Sequence, residues 1–345
     1  MGEPLVSVII PCYNAEKYID VCVQSVLDQT IGLEQIEIIL INDASCDGTL
    51  EKLYRHEREY SDQILVINCE VNRKQGYARN LGMQYSRGQY ITFLDADDYL
   101  ATDMIEKLYR KAREGYDYVI CNYYRVLNGK PIIMEGVTLE KEVCFSIDSD
   151  AERKKLLRTD IPVAGSWGIL YNRDFLLEHN IQYPPDTYYE DLLWLGMLGY
   201  YAKKVCIIPD RLYYYVNWDN TSVLMKLNSP HHFMRLHVME LFLDEVKKRG
   251  LYDRYKDEAE MHFLQLYYIS SITFFAVRYE TAPLDVMIQM RETVLEKVPD
   301  YAGNPYIKDC YPFQQTILKL IELNPRGQAQ WDEIFRTIRE GYAEG

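Results

Sequence analysis

Two groups of acidic residues stand where their chemistry is useful. Asp95, Asp97 and Asp98 directly follow the apolar run 90–94, and Glu190 and Asp191 open a second apolar run. Carboxylates at the end of a buried strand repel one another unless a cation or hydrogen-bond donors compensate them. Their hard oxygen ligands suit Mg²⁺ or Mn²⁺, ions that protein carboxylates commonly share with substrate phosphates. The alternative is that Asp97 or Asp98 caps the following helix.

Three further polar loops follow predicted strands, at residues 11–16, 42–49 and 72–80. Open α/β sheets bind ligands outside the carboxyl ends of their strands, so these loops and the aspartates should meet at one edge. The sequence contains no G-x-G-x-x-G and no G-x-x-x-x-G-K-[ST], which disfavours dinucleotide dehydrogenases and P-loop nucleotidases. It also contains no H-E-x-x-H and no G-x-S-x-G, which disfavours zinc proteases and the common serine hydrolases.

The hydrophobic pattern predicts the elements that position these loops. The first 125 residues alternate apolar runs with amphipathic stretches, which is typical of βαβ units on a mostly parallel sheet. The predicted strands are 5–10, 36–41, 64–69, 90–94 and 118–126, and predicted helices include 76–87 and 102–113. From residue 228 onward apolar residues recur at spacings of three and four, which predicts an all-α appendage.

The composition is that of a globular protein, and the charge and cysteine content indicate which partners and which cellular compartment to expect. The 345 residues are 48% hydrophobic, and 38 Lys+Arg against 52 Asp+Glu give a net charge of −14, so we expect no nucleic-acid partner. Eight cysteines without a C-x-x-C pair, and no amino-terminal signal segment, predict reduced thiols in a cytoplasmic protein. The apolar stretch 261–277 contains five polar residues, which favours a buried core helix over an oligomer or membrane-facing surface.

Four segments, in this order, resemble the motifs of family 2 glycosyltransferases, which are inverting enzymes that use nucleotide-activated sugars. They are VSVIIPCYNAEKYI, IILINDASCDGT, NRKQGYARNLGMQYSRGQYITFLDADDYL and, more loosely, YYEDLLW. The resemblance implies a GT-A fold, that is, an α/β Rossmann-like, mostly parallel sheet flanked by helices, here with a C-terminal all-α appendage. We expect a nucleotide-sugar-binding half at 1–127, an acceptor and catalytic-base half at 128–227, and a helical region at 228–345.

The resemblance also implies donor-binding positions. Tyr13 would stack on a uracil face, Asp43 would hydrogen-bond the base, and Arg79 would lie near the diphosphate. The full donor-binding set comprises Pro11, Tyr13, Asn14, Glu16, Asp43, Ser45, Gly76, Arg79, Asp95, Ala96 and Trp167. The residues leave simpler alternatives open: a helix cap for Asp43, a surface ion pair for Arg79, and core packing for Trp167.

Metal and base assignments follow from the same resemblance. Asp97, with Asp95, would hold Mg²⁺ or Mn²⁺ at the diphosphate. Asp191 would remove the proton from the acceptor hydroxyl, with Glu190 as the second candidate. The alternative is that Glu190 and Asp191 only cap the helix that they open. Many relatives carry Arg or His in the loop after the Tyr-rich strand, but residues 216–222 read VNWDNTS, so the basic residue is missing although Ser222 matches.

The predicted activity is transfer of a hexosyl or N-acetylhexosaminyl group from a UDP-sugar to a hydroxyl of a glycan or lipid-linked oligosaccharide. Such work would place the protein in the cytoplasm, including peripherally at the inner membrane face. Contact of the helical tail with a membrane or partner protein, and a homodimer, stay open. A non-catalytic nucleotide-sugar-binding subunit is the alternative. A sugar nucleotidyltransferase is disfavoured because the first loop, PCYNAEKY, lacks the Gly and Arg residues that such enzymes need.

Overall fold

The computed structural model describes residues 3–133, 139–159, 165–216 and 225–343. The chain divides into two compact units, Met1–Asp219 and Asn220–Gly345. The predicted functional division at residues 127 and 227 stays a prediction. In the described part of the chain, no helix has the length and apolar character needed to cross a membrane.

The first unit alternates strands and helices, as the sequence pattern predicts. Its described strands are β1 (Val6–Cys12), β2 (Ile36–Asn42), β3 (Ile64–Asn68), β4 (Tyr90–Phe93), β5 (Tyr99–Leu100), β6 (Tyr118–Leu127), β7 (Lys130–Ile132), β8 (Val143–Ser146), β9 (Ile169–Asn172) and β10 (Lys204–Val216). Its described helices are α1 (Ile19–Leu27), α2 (Thr49–Glu59), α3 (Lys74–Tyr85), α4 (Met104–Ala112), α5 (Asp150–Arg158), α6 (Arg173–Glu178) and α7 (Glu190–Tyr201).

The strands form one mixed sheet in the order β3-β2-β1-β4-β9-β6-β10-β5. Strands β1 to β4 are mutually parallel, and β10 is parallel to β6. Strand β9 runs antiparallel between β4 and β6. This arrangement confirms the predicted α/β fold with a mostly parallel sheet. It also brings the carboxyl ends of β1, β2 and β4 to one edge, which is where the polar loops begin.

Strand β1 is buried on both faces, which explains its continuous apolar sequence. Val8 and Ile10 belong to the core cluster that includes Val23 and Val26 of α1. On the other face, α3 packs against β1 so closely that a β-carbon added to Gly82 would lie 2.3 Å from Ile9 Cγ2. Glycine at position 82 therefore sets the distance between α3 and the sheet.

The structure corrects the prediction that the cysteines are all reduced. Cys144 of β8 and Cys206 of β10 form a disulfide bond. The two residues are direct neighbours in the antiparallel pairing of these strands. No local pattern in the sequence indicates this register, because 62 residues separate the two cysteines and β8 is short.

The second unit is helical in its described residues, in agreement with the periodicity of the sequence. Its helices are α8 (Met234–Lys248), α9 (Lys256–Phe263), α10 (Ser270–Arg278), α11 (Leu284–Lys297), α12 (Pro312–Leu323) and α13 (Gln328–Ala343), and a π-helical stretch, Leu264–Ile269, joins α9 to α10. Phe263, Tyr267 and Phe275 are buried, as expected of the predicted core helix over 261–277.

Replacing Gly82 by alanine should destabilise the first unit. The added methyl group meets the side chain of Ile9, which is itself fully buried. Overpacking costs about 1–3 kcal/mol, which exceeds the roughly 1 kcal/mol that alanine gains over glycine in a helix. We expect the free energy of unfolding, measured by urea denaturation, to fall. Gly303→Ala is the control, because nothing lies within 4 Å of a β-carbon there. A free energy of unfolding that is the same in Gly82→Ala as in the wild type would contradict this packing.

Candidate active site

The loops after β1 and β2 are hydrogen-bonded to each other. Asn14 Oδ1 accepts the Cys46 N–H at 2.9 Å, and the Asn14 N–H donates to Ser45 Oγ at 3.1 Å. The Glu16 carboxylate accepts the Gly48 N–H at 3.1 Å. Three residues predicted to bind the donor, Asn14, Glu16 and Ser45, therefore also hold the two loops in one conformation.

Tyr13 stands out from these loops as an exposed aromatic side chain. Its relative exposure is 52%, whereas Cys12 before it is buried. Pro11 lies near the end of β1 and is partly buried. An exposed ring beside a fixed loop has the geometry needed to stack on a planar ligand.

Asp43 directly follows β2, and its almost completely buried side chain reaches the beginning of α3. Its Oδ1 accepts the Arg73 N–H at 2.8 Å, so the carboxylate stabilises the start of α3. Burial raises the pKa of Asp43, against the opposing effect of these backbone hydrogen bonds. The capping role that the sequence left open is thus real, but the helix is α3 and not the next helix, α2. A contact with a base stays a prediction.

The aspartates after β4 occupy three different environments. Asp95 is partly exposed, and its Oδ1 accepts a hydrogen bond from Arg79 Nη2 at 2.7 Å. Asp97 is exposed, and Ala96 between them is buried. Crowding by protein atoms, and then the charge of Asp95, raise the pKa of Asp97 to about 6. A positive charge placed beside Asp97 would lower this pKa.

Asp98, in contrast, is buried and holds the end of β10. Its carboxylate accepts hydrogen bonds from Tyr213 Oη and from the Val216 N–H, both at 2.7 Å. The Asp95 N–H in turn donates to Tyr213 Oη at 3.3 Å. Of the three aspartates, Asp95 and Asp97 are therefore the pair whose oxygens fit a divalent cation, and two carboxylates suffice when a diphosphate supplies further ligands.

Glu190 and Asp191 begin α7 but differ in exposure. Glu190 is 0% exposed and accepts hydrogen bonds from Arg79 Nη1 and from the Gln75 amide. Asp191 is partly exposed. Burial, and then the charge of Glu190, raise the pKa of Asp191 to about 7, against the opposing effect of Arg79. Of the two carboxylates only Asp191 is accessible, which favours it over Glu190 for the predicted role of general base. That role stays a prediction.

Gly76 brings α3 close to the segment that precedes α7. A β-carbon at position 76 would lie 2.8 Å from the Pro184 carbonyl oxygen and 3.1 Å from Glu190 Cγ. Any larger side chain would separate α3 from Glu190. Gly76 therefore allows α3 to pack against Pro184 and Glu190. A contact of Gly76 with the donor stays a prediction.

Trp167 is packed among tyrosines and is 8% exposed. Its ring stacks on the rings of Tyr213 and Tyr215, with centroid distances of 4.4 and 5.5 Å. The Tyr123 ring lies nearly perpendicular to it, with a centroid distance of 5.0 Å. These contacts favour the core-packing alternative for Trp167. The loop with Trp218 and Ser222 lies outside the described residues.

Two residues of this site, Gln75 and Asn80, were not predicted from the sequence. Gln75 donates to Glu190, and Asn80 exchanges hydrogen bonds of 2.8 and 2.9 Å with the backbone of Tyr183. Both belong to the motif NRKQGYARN, and their spacing relative to Gly76 and Arg79 places all four near one face of α3. That helical spacing was the available signal.

Comparison with known proteins agrees with this geometry. The family model "Glycosyl transferase family 2" matches residues 7–179, about half of the chain. The chain is 25% identical to the cholesterol galactosyltransferase of Borreliella burgdorferi over 93% of its own length and 90% of that protein. It is 30% identical to the putative glycosyltransferase EpsH of Bacillus subtilis, over 62% of this chain and 61% of EpsH.

A solved structure shares the fold. The crystal structure of Staphylococcus aureus TarS 1-349 in complex with UDP-GlcNAc superposes with a TM-score of 0.65 at 21% sequence identity. The match covers 99% of this chain and 92% of the TarS chain. The family match spans strands β1 to β9 and the aspartates after β4, and the fold agrees with that of TarS. This chain therefore belongs to glycosyl transferase family 2 and is a glycosyltransferase with a GT-A fold.

Proposed function

We propose that the protein transfers a sugar from a UDP-sugar to a hydroxyl group of a glycan or lipid-linked acceptor, with inversion at the anomeric carbon. One observation carries the proposal: Arg79 joins Asp95, beside the exposed Asp97, to Glu190, beside the accessible Asp191. A site with a cation-binding pair and a separate base suits displacement of a diphosphate by a hydroxyl. In support of UDP, Tyr13 is exposed for stacking, and TarS has been crystallised with UDP and with UDP-GlcNAc.

Asp191 acts as the general base in this proposal. It accepts the proton of the acceptor hydroxyl while the hydroxyl oxygen forms a bond to the anomeric carbon. The bond between that carbon and the diphosphate oxygen breaks on the opposite face. Direct displacement explains the inversion and needs no covalent enzyme intermediate, in contrast to retaining glycosidases.

Asp97 and Asp95 would hold a divalent cation, Mg²⁺ or Mn²⁺, in the proposed reaction. When bound, the ion neutralises the charge of the leaving diphosphate. The donor set fits such an ion because both groups are carboxylates and the exposed Asp97 has a raised pKa. Tyr213 and Arg79 orient the loop through the Asp95 backbone and side chain, respectively.

Asp191→Asn should bind the donor but transfer almost nothing. The amide keeps the shape of the side chain and cannot accept the proton, so we expect kcat to fall by about 10²–10⁴-fold. UDP release from a panel of UDP-sugars and acceptors measures the rate, and calorimetry measures donor binding. Asp62→Asn, at an exposed aspartate between α2 and β3, is the control. Near wild-type transfer by Asp191→Asn would disprove the base assignment.

Removing the metal should abolish donor turnover. We expect release of UDP, including slow hydrolysis of the donor to water, to require Mn²⁺ or Mg²⁺, to stop with EDTA, and to be lost in Asp97→Asn. Turnover that is unaffected by EDTA would contradict the proposed metal. A donor that binds to the wild type with metal but is never turned over with any acceptor would favour the non-catalytic binding subunit.

Transfer should increase with pH through the neutral range. Asp191 works as a base only when ionised, and its pKa is raised to about 7. We therefore expect kcat/KM to be low at pH 5.5, to increase through pH 7 and to level off above pH 8. The folded protein also holds this proton more tightly than the unfolded chain, so the contribution of Asp191 to stability is lost as pH increases from about 4 to 7. A flat rate profile would contradict the assignment.

A further inference from the structure

We infer that Arg79 is a positioning residue, which fixes the start of α7 to the loop after β4, and that the diphosphate is not its ligand. The inference rests on the proposed function and replaces the role that the sequence resemblance gave to this arginine. Its basis is the set of contacts that Arg79 and the rest of α3 make with Asp95 and with the segment that ends at Asp191.

The guanidinium of Arg79 already has carboxylate partners on two sides. Nη1 donates to Glu190 Oε1 and Nη2 donates to Asp95 Oδ1 at 2.7 Å. The residue is 2% exposed, and Nε is buried without a hydrogen-bond partner among the described residues. An arginine that binds phosphate presents the donors of its planar fork to the ligand. Here the fork faces two protein carboxylates that lie 95 positions apart in the sequence.

Other residues of α3 hold the same segment. Asn80 exchanges two hydrogen bonds with the Tyr183 backbone, and Gln75 donates to Glu190 at 2.7 Å. Gly76 permits the approach of the Pro184 carbonyl. One face of α3 therefore fixes residues 183–190 at several points, and Arg79 extends that fixation to Asp95.

The charges explain why an arginine is needed at position 79. Glu190 is completely buried, and a buried carboxylate without a cationic partner is strongly destabilising. Arg79 compensates Glu190 and Asp95 together, and its charge also opposes the rise in the pKa of Asp191. A lysine would keep the charge, but its ammonium is a compact charge on a flexible chain and cannot reproduce the planar two-sided contact.

Arg79→Lys tests the inference. We expect kcat to fall about 100-fold, because a misplacement of about 1 Å in a catalytic group costs that much. Calorimetry in EDTA, with UDP and with uridine, should give affinities equal to those of the wild type, because in this inference Arg79 contacts neither ligand. Arg55→Lys is the matched control, since this exposed arginine of α2 pairs with Asp20 at a distance from the site residues in sequence, and its replacement should leave all these values unchanged.

A double-mutant cycle adds a second readout. Arg79→Gln leaves Glu190 buried without its cation, and Glu190→Gln removes that charge. We therefore expect the Arg79→Gln/Glu190→Gln protein to be more stable to urea than Arg79→Gln, and its loss of kcat to be smaller than the product of the two single losses.

Two outcomes would overturn the inference. Weaker binding of UDP by Arg79→Lys in EDTA, with unchanged binding of uridine, would show that Arg79 contacts the diphosphate. Independent effects of Arg79→Gln and Glu190→Gln would show that the two residues do not act together. Failure of the proposed function has a different signature, namely a wild-type protein that releases UDP from no donor.

Discussion

A buried guanidinium shared between two carboxylates is the interaction on which the site depends. Asp95 follows a strand in the middle of the sheet, and Glu190 begins a helix 95 residues later. The guanidinium group of Arg79 is rigid and planar, so its hydrogen bonds to Asp95 and Glu190 fix the distance between these two carboxylates. Residues close to them in sequence, Asp97 and Asp191, are the groups that we propose to hold the cation and to act as the base. In this proposal the reacting groups Asp97 and Asp191 are at least partly accessible, whereas Arg79 and Glu190 are buried.

The loop after β4 is held from a second direction by β10. Tyr213 accepts a hydrogen bond from the Asp95 backbone and donates one to Asp98, and Asp98 also accepts the Val216 N–H. Trp167 stacks on Tyr213 and fixes its ring. Tyr213 and Trp167 therefore stabilise the acidic loop.

The sequence best predicted the strands that are buried on both faces. Strands β1 and β2 are buried on both faces, so their apolar runs alone predicted them within two residues at each end. Strands β5 and β9 are short and antiparallel, and their pattern was too brief to detect. Residue types also located the acidic groups, but not their partners. Whether Arg79 faces a phosphate or two carboxylates depends on contacts between distant segments, which no local pattern records.

The hydrogen bonds between the loops after β1 and β2 carry an evolutionary consequence. Asn14 is hydrogen-bonded to Ser45 and Cys46, and Glu16 is hydrogen-bonded to Gly48. The conformation of each loop therefore depends on the other loop. A change in nucleotide preference through one loop alone would break bonds in the other. Homologues that use a different donor should therefore differ in both loops together. Chimeras that receive only one loop should lose these hydrogen bonds and fold less well.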